Sequence, residues 1–187
     1  MTGIVRPALF LDRDGVVNVE KNYLYRIREF EFLDGVFELC SRFQSAGYAI
    51  VVVTNQAGIA RGYYAEDDVQ VLHAWMLERF AERGVRIAGV YHCPHHPDFS
   101  GPCPCRKPEP GMILRASEEL GLDLSGSVLL GDKESDIEAG RRAGIRHLGL
   151  LAHGPRSLDR VLSRGAELPL QEWIEGILGE DPPIARP

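Results

Sequence analysis

The chain has 187 residues, 44% of them hydrophobic and 26% charged, and these proportions predict one globular domain that spans residues 1–187. Its net charge of −6 argues against a nucleic-acid-binding surface, because such a surface needs a basic face. No apolar run reaches membrane-spanning length and residues 1–7 lack the apolar stretch of a signal peptide, so we expect a cytoplasmic protein without a membrane partner, and we further expect a monomer.

The first predicted element is a short buried strand that ends with residues 9–11 and is followed by Asp12, Asp14 and Gly15. Ligands of parallel sheets gather at the carboxyl ends of the strands, where the glycine lets the chain turn away. Two carboxylates this close repel each other unless a cation holds them, and Mg²⁺ is the usual oxygen-seeking choice. Because Asp and Gly are also common turn residues, the weight of this motif depends on the rest of the chain.

Strands and helices then alternate. Hydrophobic periodicity predicts helices at about 36–46, 66–83, 112–120 and 135–143, strands at about 48–53, 86–91, 127–130 and 146–151, and one or two modest helical stretches afterwards. This alternation predicts an α/β fold, a doubly wound (Rossmann-like) parallel sheet with helices on both faces. Cys40 falls on the apolar face of the first helix and is expected in the core. The tail at about 181–187 is expected to be frayed.

The loop at 92–110 contains six prolines, three cysteines and three histidines and has no periodicity. So long a loop in a compact domain usually has a function or a covalent staple. Four of its residues have metal-ligand spacing: Cys93, His95, Cys103 and Cys105. Three thiolates and one imidazole suit a closed structural Zn²⁺ site. His92 and His96 lie close enough to compete with His95, and a loop with reduced cysteines and no metal is the alternative.

Four polar clusters follow predicted strands or lie in the long loop: Asp12/Asp14, Thr54/Asn55, Arg106/Lys107 and Asp132/Asp136. Each one alone could be an ordinary turn or a solvated charge. Together they offer a nucleophile, acids that can hold a metal, and donors for the equatorial oxygens of a phosphoryl group. The combination predicts phosphoryl transfer.

The motifs that carry a family resemblance are Asp12-Arg13-Asp14-Gly15, Val53-Thr54-Asn55-Gln56, residues 58–62, residues 93–97, residues 105–108 and Gly131-Asp132-Lys133. Over about residues 8–151 the chain resembles phosphatases of the haloacid dehalogenase (HAD) superfamily. Within it, the chain is similar to the branch of histidinol-phosphate and heptose-bisphosphate phosphatases. The first and last motifs belong to the superfamily generally, whereas the cysteine-histidine loop and the stretch 55–62 are specific to the branch.

The resemblance implies a catalytic role for each motif. Asp12 would attack phosphorus and become a transient aspartyl phosphate, and Asp14 would protonate the leaving oxygen and then activate water. The role of Asp14 requires a pKa raised by its neighbours. Mg²⁺ would be held by Asp12, the Asp14 backbone carbonyl and Asp132, while Thr54 and Lys107 would hold the phosphoryl oxygens.

The same resemblance implies the metal loop and the substrate loops. It favours His95 as the zinc ligand beside the three cysteines, with the zinc fixing the adjacent Arg106 and Lys107. It implies no large cap domain, so specificity falls to short loops. The expected substrate-binding residues are Glu20, Lys21, Asn22, Tyr23, Asn55, Gln56, Arg106 and Lys133. Arg106 can meet a second anionic group with a bidentate fork, and Asp136 and Lys133 are expected to order the acidic site.

The leading functional hypothesis is a Mg²⁺-dependent phosphatase of a small phosphorylated metabolite, with the C7 phosphate of D-glycero-D-manno-heptose 1,7-bisphosphate as the expected substrate. Histidinol phosphate is the alternative substrate. A phosphorylated receiver domain of a signalling protein also combines Asp, Thr and Lys in a doubly wound fold, but a zinc loop would be foreign to it. A scaffold with an idle site ranks low because every catalytic position is filled.

Overall fold

The computed structural model describes residues 5–152 and 158–179, so the predicted tail at 181–187 lies outside the described residues. The strands are β1 (Arg6–Leu11), β2 (Ala49–Asn55), β3 (Ile87–Cys93), β4 (Leu122–Gly131), β5 (His147–Leu151), β6 (Arg160–Ser163) and β7 (Ala166–Pro169). The helices are α1 (Val36–Ser45), α2 (Glu66–Ala81), α3 (Pro97–Ser100), α4 (Gly111–Leu120), α5 (Glu134–Ala143) and α6 (Leu170–Gly179), with a 3-10 turn at Ile27–Glu29. No helix within these ranges is long and apolar enough to span a bilayer.

The strands form one sheet in the order β3-β2-β1-β4-β5-β6-β7. The first five strands are parallel, and β1 pairs with β2 on one side and with β4 on the other. The chain therefore reverses its winding direction at β1, and ligands of doubly wound sheets bind outside the carboxyl ends of the strands at such a point. The predicted fold class is confirmed.

Both faces of the sheet are covered because side chains of a strand alternate between its faces. Leu9 and Leu11 of β1 face a core that includes residues of α1, α2 and α6. Ala8 and Phe10 face a second core that includes residues of α4 and α5. Burial on both faces makes β1 a continuous apolar run, and its central place brings Asp12 to the middle of the carboxyl edge.

The hairpin of β6 and β7 was not predicted, since only helical stretches were expected after residue 151. Both strands are antiparallel to their neighbours and extend the sheet at its edge. Each has only four residues, too few for a period-2 pattern to stand out. The signal that was missed is Arg164-Gly165, where both residues have positive φ (50° and 80°), as a two-residue type I′ turn requires.

Candidate active site

Asp12 follows β1 directly, and its backbone N–H donates to the carbonyl oxygen of Leu130 on β4. Lys107 comes from the long loop and is buried beside Asp12, with 4% of the lysine's surface exposed. The Lys107 ammonium donates to Asp12 Oδ1 at 2.7 Å and to the Val53 carbonyl oxygen at 2.8 Å. It also forms an ion pair with Asp136 Oδ1 at 2.6 Å. One lysine thus links the loop to the ends of β1 and β2 and to α5.

Asp12, Asp132 and Asp136 each offer a carboxylate oxygen, and these three oxygens lie within 4.8 Å of one another. Asp132 Oδ1 is buried and has no hydrogen-bond partner. Asp136 is engaged on both oxygens, because Oδ1 meets Lys107 and Oδ2 accepts the backbone N–H groups of Asp132 and Lys133. A cation therefore fits best between Asp12 and Asp132, with Asp136 ordering the loop around them.

Gly15 allows this close approach of the two loops. Its φ of +91° lies in the left-handed region, and a Cβ at this position would lie 2.2 Å from Asp132 Oδ2. No L side chain could occupy the position without moving the Asp132 carboxylate. A glycine is thus required at this position for two reasons. It allows the local turn, and it lets the Asp132 carboxylate approach the loop that carries Asp12 and Asp14.

Burial and crowding set the charges of these groups. Burial raises the pKa of Asp12 well above its usual value, the Lys107 ammonium opposes this rise, and the Asp136 carboxylate adds to it. Burial likewise raises the pKa of Asp132. Burial alone would favour neutral Lys107, but the Asp12 and Asp136 carboxylates outweigh it and raise the pKa of the amine. A further cation would stabilise the ionised carboxylates.

Asp14 lies in different surroundings from Asp12. Its carboxylate accepts hydrogen bonds from Arg13 Nη2 at 2.9 Å, Asn18 Nδ2 at 3.0 Å and Gln56 Nε2 at 3.0 Å. Burial alone would raise the pKa of Asp14, but the Arg13 guanidinium and these hydrogen bonds favour the ionised form and lower it. The prediction of a raised pKa for Asp14 is therefore wrong for this arrangement.

The two amides after β2 have partners within the protein. Asn55 exchanges two hydrogen bonds of 3.1 Å with the backbone of Lys107. Gln56 Nε2 donates to Thr54 Oγ1 at 2.9 Å, and Gln56 Oε1 accepts from the Tyr64 hydroxyl at 2.7 Å. Asn55 therefore fixes the segment that carries Lys107, and Gln56 links Thr54 to Asp14.

These residues surround an open cavity of about 500 Å³. The predicted site residues that line it are Asp12, Asp14, Glu20, Asn22, Tyr23, Thr54, Asn55, Gln56, Arg106, Lys107, Lys133 and Asp136. Lys21 does not line it, because its ammonium donates to the Glu29 carbonyl oxygen and pairs with Glu31. Across the opening, Lys133 Nζ donates to Glu20 Oε2 at 3.1 Å. Tyr64 and His96 also line the cavity, although neither was predicted to.

The three clustered cysteines and His95 converge beside the cavity. Their ligand atoms lie within 4.8 Å of one another. The sulfur of Cys105 is 3.4 Å from that of Cys103 and 3.3 Å from His95 Nδ1. The competing histidines are occupied elsewhere, since His92 bonds to Glu66 and His96 to Arg61. This four-residue cluster has the donor set of a closed zinc site.

Comparisons with known proteins agree with this geometry. Residues 104–161 match the HAD-hydrolase-like family. The D-glycero-beta-D-manno-heptose-1,7-bisphosphate 7-phosphatase of Yersinia pestis is 45% identical over 175 residues, which cover 87% of this chain and 93% of the relative. The chain belongs to the HAD-like heptose-bisphosphate phosphatases. The D-glycero-alpha-D-manno-heptose-1,7-bisphosphate 7-phosphatase of Burkholderia mallei is 53% identical over 143 residues, which cover 74% and 76% of the two chains.

Among solved structures, this phosphatase is similar to D,D-heptose 1,7-bisphosphate phosphatase from B. bronchiseptica complexed with magnesium and phosphate. The TM-score is 0.68 at 34% identity, over 74% of this chain and 77% of that one. The family resemblance and the enzyme class, a phosphoric monoester hydrolase, are thereby confirmed.

Sequence reasoning missed four polar residues of this phosphatase site: Arg13, Asn18, Tyr64 and His73. Arg13 and Asn18 are completely buried, and His73 is 7% exposed. Arg13 stands between two named aspartates, and its position inside the motif was the available signal. His73 occurs at an apolar helical position of α2, where a histidine gives no sign of its partner.

Proposed function

We propose that this chain is a Mg²⁺-dependent phosphatase that hydrolyses the C7 phosphate of D-glycero-D-manno-heptose 1,7-bisphosphate through an aspartyl phosphate on Asp12. The observation that carries the proposal is the buried Asp12 carboxylate that lines the cavity, held by Lys107 beside the unpaired oxygen of Asp132. The relatives named above act on this substrate according to their names. A receiver domain or an idle scaffold would not account for the sequence similarity to these phosphatases.

Asp12 and Asp132 are the proposed side-chain ligands of Mg²⁺, with the Asp14 backbone carbonyl as a third. The unpaired buried Asp132 oxygen and the surplus of carboxylates fit a hard cation with oxygen ligands. When bound, Mg²⁺ would screen the charge of the phosphate from the attacking carboxylate. The solved relative from B. bronchiseptica, complexed with magnesium and phosphate, supports this choice.

Side chains of the protein carry out the remaining steps of phosphoryl transfer. Asp12 attacks phosphorus, while the Lys107 ammonium and the Thr54 hydroxyl donate to the phosphoryl oxygens. Asp14 gives a proton to the leaving oxygen and then takes one from the water that hydrolyses the aspartyl phosphate. The contacts from Arg13 and Gln56 favour ionised Asp14, which suits the second of these steps.

Arg106 is proposed to meet the second phosphate of the substrate. Its side chain lines the cavity, and its Nη1 donates to the His95 carbonyl oxygen at 3.1 Å, which orients the guanidinium. Zn²⁺ on the Cys93, His95, Cys103 and Cys105 cluster would hold this loop in place. With four protein ligands the zinc site is closed, so its proposed role is architectural. Glu20 and Lys133 at the opening are placed to contact sugar hydroxyls or phosphate.

The test is phosphate release from both anomers of heptose 1,7-bisphosphate and from histidinol phosphate, with identification of the phosphate removed. We expect the C7 phosphate of the bisphosphate to be released with the highest kcat/KM, and release to stop reversibly without Mg²⁺. Faster turnover of histidinol phosphate would transfer the assignment to that substrate. No release from any alkyl phosphate would contradict the phosphatase proposal itself.

The variant that accompanies this test is Asp12→Asn. An amide is nearly isosteric with the carboxylate but is a far poorer nucleophile, so turnover should fall by on the order of a thousandfold or more. Folding and phosphate binding should persist, because the Lys107 contact at 2.7 Å involves an oxygen that the amide retains. Near-normal turnover by this variant would exclude the aspartyl-phosphate mechanism.

A further inference from the structure

Arg13 lies between the two aspartates of the first motif and is fully buried. A buried guanidinium needs a counter-ion and acceptors for its N–H groups. Arg13 forms an ion pair with Asp14 at 2.9 Å, and it contacts His73 Nε2 at 3.1 Å and the Leu24 carbonyl oxygen at 2.9 Å. The hydrogen bonds of its side chain thus go to Asp14 or to groups that hold the guanidinium itself.

The guanidinium of Arg13 contacts both carboxylate oxygens of Asp14. Nε and Nη2 lie 3.3 and 3.1 Å from Oδ1, and Nη2 lies 2.9 Å from Oδ2. A planar fork of this kind fixes the rotation of a carboxylate, which a single point contact leaves free. Asn18 donates to Oδ1 and Gln56 donates to Oδ2, and both hydrogen bonds favour the same orientation of the Asp14 carboxylate.

His73 and Leu24 fix the fork from two sides. His73 projects from α2, while Leu24 belongs to the loop after β1 whose residues Asn22 and Tyr23 line the cavity. Burial, and then the charge of Arg13, lower the pKa of His73 to about 3, so its neutral ring can accept a hydrogen bond from Nη1. With acceptors at both terminal nitrogens, the guanidinium cannot turn away from Asp14.

We propose that Arg13 is a positioning residue for proton transfer by Asp14, and that His73 orients Arg13. The inference rests on the proposed phosphatase function, in which Asp14 protonates the leaving oxygen. Proton transfer needs heavy atoms within roughly 2.6–3.2 Å, so a carboxylate free to rotate transfers protons less often. An ion pair that served stability alone would affect all substrates equally when it is weakened.

The leaving group provides the test, with the conservative variant Arg13→Lys. The alkoxide of heptose 1,7-bisphosphate needs a proton as it leaves, whereas the phenolate of p-nitrophenyl phosphate leaves without one. Single-turnover cleavage of the bisphosphate should slow at least about 20-fold, within the range of general acid catalysis. The burst of p-nitrophenolate, which reports the attack of Asp12 alone, should slow less than about threefold. The substrate concentration that gives half the maximal rate of this first step should stay the same for both substrates.

His73 offers a second pair of variants that keeps Arg13 in place. His73→Leu removes the acceptor of Arg13 Nη1 and should reproduce the selective loss on the bisphosphate. His73→Gln keeps an amide oxygen that can accept the same hydrogen bond, and it should restore most of the rate. The control is His92→Gln, since the His92 ring lies 5.6 Å from that of His73 and bonds to Glu66 instead.

Equal losses on the two substrates, or a lower melting temperature with unchanged rates, would overturn the inference. If Arg13→Lys does not fold, the comparison of His73→Leu with His73→Gln decides alone. A wild type inactive on heptose 1,7-bisphosphate would instead contradict the proposed substrate. Histidinol phosphate, which also has an alkoxide leaving group, would then take its place in the same comparison.

Discussion

At the scale of single residues, two buried basic side chains of this site differ in charge, because one is protonated and the other is neutral. Lys107 lies between the carboxylates of Asp12 and Asp136, which raise its pKa and keep it charged. His73 meets a guanidinium, and burial together with that charge lowers its pKa to about 3. Similar burial thus gives different charge because the neighbours differ in sign.

The neutral state of His73 predicts a pH dependence of stability. The pKa of His73 is about 3 in the folded protein against an ordinary value of 6.5, so between these two pH values the unfolded chain binds a proton that the folded protein does not. Stability from this group is therefore present above pH 6.5 and is lost as the pH falls towards the folded value. Between about pH 7.5 and about pH 5 the loss should be about 2 kcal/mol.

Urea unfolding of the wild type and of His73→Gln at both pH values measures this loss, because the glutamine cannot titrate. The wild type should lose more stability on acidification than the variant does. All other titrating groups are common to both proteins and cancel in the difference. The same pH dependence in both would show that His73 is not held neutral.

Arg106 gives the prediction for substrate choice. Arg106→Ala should lower kcat/KM for heptose 1,7-bisphosphate at least about tenfold more than for p-nitrophenyl phosphate, because only the former has a second anionic group. Arg142→Ala is the matched control, since Arg142 is an exposed arginine that pairs with Glu109 and Glu138. Zinc content should be measured alongside, because Arg106 contacts the His95 carbonyl. Equal losses on both substrates would remove Arg106 from substrate recognition.

At the scale of elements, the 92–110 loop connects a candidate metal cluster with the active site. Its first cysteine is the last residue of β3, and the two later cysteines come just before Arg106 and Lys107. Asn55 at the end of β2 then clamps the Lys107 backbone with two hydrogen bonds. The loop is thus held at both ends, so the position of the Lys107 ammonium depends on distant anchors.

Zinc removal is expected to act through this connection. Cys103→Ser should lose zinc and lower the free energy of unfolding by at least about 3 kcal/mol, because structural zinc contributes directly to folding. Turnover should fall as a consequence of a loosened Arg106-Lys107 segment. Cys40→Ala is the control, since Cys40 lies in the core on α1 and should leave zinc content at about one per chain. A Cys103→Ser protein with full stability and activity would exclude the site.

At the scale of the whole molecule, the sheet brings segments from distant parts of the chain to one edge. The Lys107–Asp12 contact joins residues 95 apart in sequence, and the Arg13–His73 contact joins residues 60 apart. On the face of the sheet that α1 and α2 also cover, α6 packs against β5 and β6, and Trp173 packs where a side chain at Gly149 would otherwise stand. The C-terminal hairpin and α6 therefore complete the core away from the cavity.

Two glycines allow a matched test of that packing. A Cβ at Gly149 would lie 2.7 Å from Val161 Cγ2 and 2.8 Å from Trp173, so Gly149→Ala should destabilise the protein by about 1–3 kcal/mol. A Cβ at Gly176, inside α6, meets nothing within 4 Å of the described residues, so Gly176→Ala should stabilise it by about 0.5–1 kcal/mol. Urea unfolding distinguishes them, and kcat/KM should change in neither. Equal effects on stability would contradict the packing of α6.

The sequence by itself determined the alternation of strands and helices and the places where polar residues end the strands. Periodicity is a local property, and parallel strands bring their carboxyl ends together, so Asp12, Thr54 and Asp132 could be predicted as neighbours. Tertiary structure alone decided which donors contact each carboxylate. Arg13 and Gln56 hold Asp14, which reversed the predicted direction of its pKa, while Lys107 and burial act on Asp12. Such contacts depend on side chains that meet only after packing, and no local pattern encodes them.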